Sequence, residues 1–379
     1  MRKVRLFIYA VLLIAGISGV GLCATYDVVI RSGRIYNGSG GASYVADVAI
    51  KDDRIEAIGT LEPDANLVID ARGLAVAPGF INMLSWATES LIEDGRSQSD
   101  IRQGVTLEVM GEGSSMGPLN DTMKRDMAQS QGDVKFSVEW NTLGEYLDYL
   151  VRKGVSTNVA SFVGAATVRV HAIGYEDRKP TSQELDLMRK LVAQAMQEGA
   201  MGVSSALIYA PGVYADTDEL IALAQVAGEY GGLYISHLRS EGNDLLAALD
   251  ELIATARKAN VAVEVYHMKV AGQANWPKLD AMIGKIEQAR AQGLRVTADM
   301  YTYTAGATGL DAAMPPWVQA GGHEAWVKRL KDPDIRRRVL EEMTTPTQEW
   351  ENLFLLAGKA ENVLLVEFKN EKLKHLTGK

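Results

Sequence analysis

LYISHLRSEG (residues 233–242) and VEVYHMKVAG (263–272) decide the fold. Each is an apolar run rich in β-branched residues that ends in a histidine, with a cation two positions further on: His237 with Arg239, and His267 with Lys269. A near-continuous apolar run reads as a strand buried on both faces, the condition of a parallel sheet. Between the two, DLLAALDELIATARKAN (244–260) is apolar at helical spacing and is closed by Asn260, so the unit is strand, helix, strand. Two histidines therefore stand on neighbouring strand tips, where an α/β barrel assembles its active site and where neutral imidazole is the commonest protein ligand for a metal. A lone buried histidine is usually a hydrogen-bonded core residue. The pairing on adjacent strands, in a chain with only 5 histidines, favours the ligand reading. His171, His323 and His375 fall in an expected loop, a helix start and the tail, and take the structural reading.

Similar apolar runs flank this unit: GLAVAPGFINML (73–84), GVTLEVMGEG (104–113), TNVASFVGAA (157–166), GVSSALIYAPG (202–212) and LRVTADMYTYTAG (294–306). Amphipathic helices separate them, the clearest being SQELDLMRKLVAQAMQEG (182–199) and DELIALAQVAGEYGG (218–232), each closed by glycine. Repeated strand and helix units give a parallel sheet, here with seven strands. A closed (β/α)8 barrel needs eight. VLLVEF (363–368) is strand-like, but no covering helix follows it, so residues after 310 read as an insertion ahead of a last strand that is not in the sequence. Residues 26–75 have a different period, with short alternating strands and Gly, Asn and Asp at the turns, which predicts a small antiparallel sheet.

The expected organisation is a signal peptide over 1–24, the first part of a small β-sandwich domain over 25–75, and an incomplete (β/α) barrel over 76–379. Arg2, Lys3 and Arg5 precede the apolar run LFIYAVLLIAGI, and small residues with a cleavage point after Cys23 or Ala24 follow it. This is the pattern of an exported protein, periplasmic or secreted, with no integral membrane segment once the signal is removed; an uncleaved N-terminal anchor is the other reading. Cys23 is the only cysteine, so its loss with the signal removes disulfides and thiol catalysis from consideration. A net charge of −9 and a pI near 5.3 argue against nucleic acid or an anionic membrane surface as partner and leave a small-molecule substrate.

Taken together, APGFIN, GVTLEVMGEG, GVSSALIYAPG, SHLRSEG, YHMK and ADMYTYTAG resemble the amidohydrolase superfamily, specifically the N-acyl-D-amino-acid deacylase (D-aminoacylase) group. The resemblance implies a (β/α)8-type TIM barrel with a small β-sandwich, and zinc-dependent hydrolysis of the amide of an N-acyl amino acid by a metal-activated water. It assigns His237 and His267 to the tightly held metal, Lys269 to the substrate carboxylate, and Tyr301 or Tyr303 as the partner of that lysine. Tyr209, Arg239 and Glu241 are pocket candidates; for the last two, a structural ion pair at the rim is the competing reading.

The departures from the group's pattern are specific. Leu84 and Trp86 stand where the superfamily places His-x-His, and neither can bind a metal, so one ion is expected. Gly113 occupies the place of the group's usual cysteine ligand, and Glu112 precedes it. A carboxylate is a legitimate zinc ligand, so Glu112, His237 and His267 form a three-ligand candidate with an open position for water; a rim carboxylate bonded to backbone amides or Arg239 is the alternative. The group's general-base aspartate, in a segment resembling GSDA, is missing. Asp299 is the nearest substitute, although a carboxylate one strand away usually serves to orient a ligand. Losing a base costs roughly a hundredfold or more in rate. The leading expectation is a metal-dependent amidohydrolase of truncated lineage; the other is a non-catalytic or vestigial barrel, and metal binding separates the two. A cyclic amidase of the hydantoinase or dihydroorotase kind is disfavoured, since those use His-x-His and a carboxylated lysine.

Overall fold

We describe a computed structural model in which residues 25–379, apart from 63 and 369, are described; the expected signal segment and Cys23 lie outside them. The chain divides into two compact units, one ending at Gly79 and one beginning at Phe80.

In the first unit, apolar and polar residues alternate along β1 (Tyr26–Ile35), β2 (Tyr44–Lys51) and β3 (Arg54–Gly59), which pair antiparallel in sequence order. Val29, Ile35, Val48, Ala49 and Ala71 are its buried apolar residues. β4 (Ala65–Asp70) and β5 (Ala75–Val76) also pair with β1, but parallel to it, so the sheet is mixed and not the antiparallel one expected. The reason is physical: a period of two records that a strand has two faces and says nothing of its direction.

The second unit is built of strand and helix repeats. β6 (Phe80–Ser85), β7 (Val105–Met110) and β8 (Asn158–Ser161) form one parallel sheet. β9 (Val163–Gly164), β10 (Gly202–Ala206), β11 (Leu233–His237), β12 (Ala262–Val265) and β13 (Val296–Ala298) form another. Only Phe162 separates β8 from β9, and its N–H donates to Met110 O at 2.9 Å, so the strands follow one another in chain order at seven positions. Every apolar run read as a barrel strand supplies one. Val363–Phe368 carries no strand, and among the described residues the parallel series stops at seven. β6 and β13 each pair on one side only, with Phe80, Ile81 and Met300 exposed beside them.

Side chains alternate between two cores. Val109, Phe162, Ile235 and Tyr266 pack together between the strands, while Met110, Val203, Tyr234, Val263 and Val265 face the helices. The helices between strands start and stop on local signals. Helix α1 (Leu143–Lys153) begins with a Thr142–Glu145 capping box, and α2 (Ser182–Gln197) with a Thr181–Glu184 one, each satisfying amide donors that the first turn leaves free. Helix α3 (Thr217–Glu229) follows β10, and α4 (Leu245–Ala259) follows β11 and ends at Asn260 in the left-handed region, as its sequence predicts. His171, expected in a loop, lies in the helix Ala165–Ile173. After β13 the chain is short helices and turns, including α5 (Pro333–Thr344) and α6 (Leu353–Leu356). No helix among the described residues is long and apolar enough to cross a membrane.

Candidate metal centre

The turn Gly111-Glu112-Gly113 follows β7 and is pinned by its neighbours. Gly111 has φ +101°, and a Cβ there would meet Phe162 O at 2.4 Å; Gly113 has φ +63°, and its Cβ would meet Ala206 Cβ at 2.5 Å. Both conformations favour glycine, and both close approaches demand it. Ser204 on β10, fully buried, accepts from Gly113 N at 3.1 Å and donates to Gly111 O. The only side chain this turn can project is that of Glu112. A cysteine at 113 would require β10 to move.

His237 is the last residue of β11, and His267 follows β12. His267 sits at φ +37°, a strained value for a residue with a Cβ, and its N–H donates to Asp299 Oδ1 at 2.7 Å. These turns bring three atoms together. His237 Nδ1 and His267 Nε2 are each 3.0 Å from Glu112 Oε1 and 3.0 Å from one another. The two rings are nearly perpendicular, and both histidines are buried. Two nitrogens and an oxygen at that spacing suit zinc: bonds of ~2.0–2.1 Å at tetrahedral angles separate neighbouring ligands by roughly 3.3–3.4 Å, so the triangle need open only slightly. Among the described residues it is the one cluster of three or more His, Cys, Asp or Glu arranged in this way.

Glu241 stands behind both imidazoles. Its Oε1 is 3.0 Å from His267 Nδ1 and 3.7 Å from His237 Nε2, a buried nitrogen with no other partner, and it accepts from Lys269 Nζ at 2.6 Å. Burial pushes the carboxyls of Glu112 and Glu241 upward. Hydrogen bonds and charge from the histidines, with Lys269 also acting on Glu241, outweigh it and hold both at about 2. Burial disfavours the His267 cation, but Glu112 and Glu241 more than compensate and raise it to about 9. Without metal, His267 is therefore an imidazolium donating to a carboxylate on each side. Its 2.8 Å approach to Lys269 Nζ is then a contact between two donors that share Glu241.

The other expected site residues are distributed as follows. Tyr209 lies edge-on to His237 with ring centroids 5.3 Å apart; its hydroxyl meets Thr308 Oγ1 at 2.8 Å, and burial pushes its pKa to about 12. Tyr301 is 6.3 Å from the His267 ring and 5.4 Å from Lys269 Nζ, whereas Tyr303 is 78% exposed and packs on Tyr301 away from the histidines. Asp299 supports the His267 backbone through Oδ1, and its buried carboxyl is hydrogen-bonded to that of Glu264. Burial raises its pKa, and the neighbouring Glu264 carboxyl is raised for the same reason. Arg239 is not brought to the cluster: it forms a two-pronged pair with Glu251 at 2.9 Å and also donates to Val213 O and Ala215 O. Leu84 lies against the inner core and Trp86 is 67% exposed. A cavity of about 1280 Å³ opens among Arg239, Ser240, Trp276, Trp350 and Glu351, and none of the three clustered residues lines it. Ser204 went unread in the sequence, although a pair of serines in a short buried strand was a visible signal. Glu351 gave none.

The parallel strands in chain order are the layout of a TIM-barrel-based fold, and the similar solved structures of D-aminoacylases, a subset of the amidohydrolases, share it. No family model matches the chain. It is homologous to the D-aminoacylase group. It is 34% identical over 288 residues to a D-aminoacylase of Alcaligenes xylosoxydans xylosoxydans, covering 75% of this chain and 58% of that protein. It is 35% identical over 286 residues to an N-acyl-D-glutamate deacylase of the same organism, covering 74% of this chain and 58% of the relative. A D-aminoacylase crystal structure aligns with TM-score 0.67 and 31% identity over 74% of this chain and 59% of its own. The N-acyl-D-glutamate deacylase of Bordetella bronchiseptica, solved with zinc and a phosphonate mimic of the tetrahedral intermediate, aligns with TM-score 0.66 and 32% identity over 73% of this chain and 59% of its own. The chain thus spans rather less than two thirds of these relatives.

Proposed function

We propose that this chain hydrolyses the amide C–N bond of N-acyl-D-amino acids, using one zinc ion held by Glu112, His237 and His267. The convergence of those three atoms at 3.0 Å is the observation that carries the reading. Bound there, zinc acidifies a water and polarises the amide carbonyl. The chain's own groups do the rest. Glu241 accepts from His267 Nδ1, which leaves Nε2 free to face the ion. Lys269, which donates to Glu241, and Tyr301 beside it bind the substrate carboxylate as an ammonium and a phenol. Asp299, a buried carboxyl paired with Glu264 and raised by burial, is the group available to hold the proton taken from water. Tyr209 excludes water on the His237 side. The seven parallel strands support a (β/α)8-type barrel whose eighth position is not filled among the described residues, and the mixed sheet at the N-terminal end supports one layer of a β-sandwich.

The test is zinc content and deacylation by the intact protein, with paired D- and L-N-acetyl amino acids as substrates. One zinc per chain, lost in His237→Ala and His267→Ala together with release of acetate from the D series, is expected. Folded protein that takes up no zinc would refute the proposal. So would zinc-loaded protein that cleaves neither series.

A further inference from the structure

The loop after β11 carries Glu241, the one carboxylate behind both histidines, and a distant part of the chain holds that loop. Glu351, which lies just before α6, accepts from the Glu241 backbone N–H at 2.9 Å through Oε1 and from Ser240 Oγ at 2.7 Å through Oε2. Ser240 Oγ in turn accepts from Gly242 N at 3.2 Å and Asp244 N at 3.1 Å. Ser240 and Glu241 are both buried. We infer that Glu351 is a positioning residue for the metal cluster: it fixes the 240–244 loop so that Glu241 keeps both imidazoles in ligand orientation. This inference rests on the zinc reading of Glu112, His237 and His267.

The hydrogen-bond inventory requires a carboxylate at 351. The Ser240 oxygen already accepts two N–H groups, so its hydroxyl must donate to Glu351, and the Glu241 N–H must also donate to it. Glu351 therefore has to accept on both oxygens. A glutamine has one oxygen: turned toward Glu241, it aims its amide protons at a saturated serine; turned toward Ser240, it aims them at an N–H. Either orientation leaves two donors facing each other. Packing alone would not distinguish the residues, because glutamine has nearly the shape of glutamate.

The experiment compares wild type, Glu351→Gln, Glu351→Ala and the milder Ser240→Ala in the full chain. Two readouts are used: amide hydrogen exchange at 240–244 in metal-free protein, and zinc affinity by competition with a chelator. Loss of a partner that orients a metal ligand costs about 10–100-fold in metal affinity. The expected result is faster exchange in that loop and zinc binding at least about tenfold weaker in both Glu351 variants, with glutamine as poor as alanine and Ser240→Ala intermediate. Unchanged exchange, or faster exchange with wild-type zinc affinity, overturns the inference. Rescue by glutamine does the same, because it reduces the contact to packing. A wild-type chain that binds no zinc overturns the underlying site reading, and it is told apart because the exchange comparison needs no metal.

Discussion

Zinc uptake by this chain should be coupled to the loss of one proton from His267. In the metal-free protein that imidazole is raised to about 9 by Glu112 and Glu241, against an ordinary value near 6.5. At pH 7 it lies two units below its pKa and about 99% of it carries the proton that a metal must displace. The apparent zinc affinity at pH 7 is then weaker than the intrinsic one by about a hundredfold, or roughly 3 kcal/mol. It should strengthen roughly tenfold per pH unit from 7 to near 9 and then level off. Glu112 and Glu241, held at about 2, are already ionised and contribute no protons in this range. The assay is calorimetry in two buffers of different ionisation enthalpy, which counts the protons released per zinc; the His267 share is about one at pH 7 and falls away above about 9, where only the proton of the zinc-acidified water is left to be released. The same shifts set the stability of the metal-free fold. The His267 contribution is complete below 6.5 and is lost as pH rises through about 9; the Glu112 contribution is complete above 4.5 and is lost as pH falls through about 2. Between about 4.5 and 6.5 both are present. A zinc affinity that is flat from pH 7 to 9, with no proton release, would mean that His267 is neutral, and the electrostatic account of the site would fail.

Three further outcomes follow from the geometry. Gly113→Ala places a Cβ 2.5 Å from Ala206 Cβ at φ +63°, so it should lower thermal stability by more than the ~1–2 kcal/mol of the backbone conformation alone and weaken zinc binding as the Glu112 turn shifts; an unchanged melt would refute the close approach. Glu108, fully buried on β7, accepts from Ser85 Oγ at 2.7 Å, Ser97 Oγ at 2.6 Å and Thr157 Oγ1 at 3.0 Å. Glu108→Gln leaves one hydroxyl facing an amide donor and should cost about 1–3 kcal/mol in urea unfolding without altering zinc affinity. Arg239→Ala breaks the pair with Glu251 and should reduce stability by about 1 kcal/mol with little change in KM; a tenfold rise in KM would make Arg239 a pocket residue after all.

How far the sequence could be read depended on what each signal encodes. Strands buried on both faces are written as unbroken apolar runs, so all seven parallel positions could be located, and their histidine tips with them. Direction is not written in an alternating strand, and β4 runs parallel to β1 where an antiparallel sheet was expected. Rim charges were legible as residues but not as pairs. Arg239 pairs with Glu251 twelve positions along, on α4, while Glu241 turns to Lys269 and the histidines. Partner choice there depends on how the loops cross, and neighbouring letters do not record that. Glu351 shows the limit: a carboxylate in a polar stretch, given meaning only by the backbone amide of Glu241. The glycine at 113 was read as a missing ligand, yet the absence of space for any side chain there became visible only with β10 against it.

That crowded glycine also bears on durability. A thiolate ligand is open to peroxide, which converts it stepwise to sulfenic and then irreversible sulfinic and sulfonic acids, and it attracts thiophilic metals. With Ala206 closing position 113, the turn reaches the centre only through the carboxylate of Glu112, and residues 25–379 contain no cysteine at all. A cluster of nitrogen and oxygen donors has no sulfur to lose to oxidants, so treatment with hydrogen peroxide, or with mercurials, should leave its ligand set chemically whole.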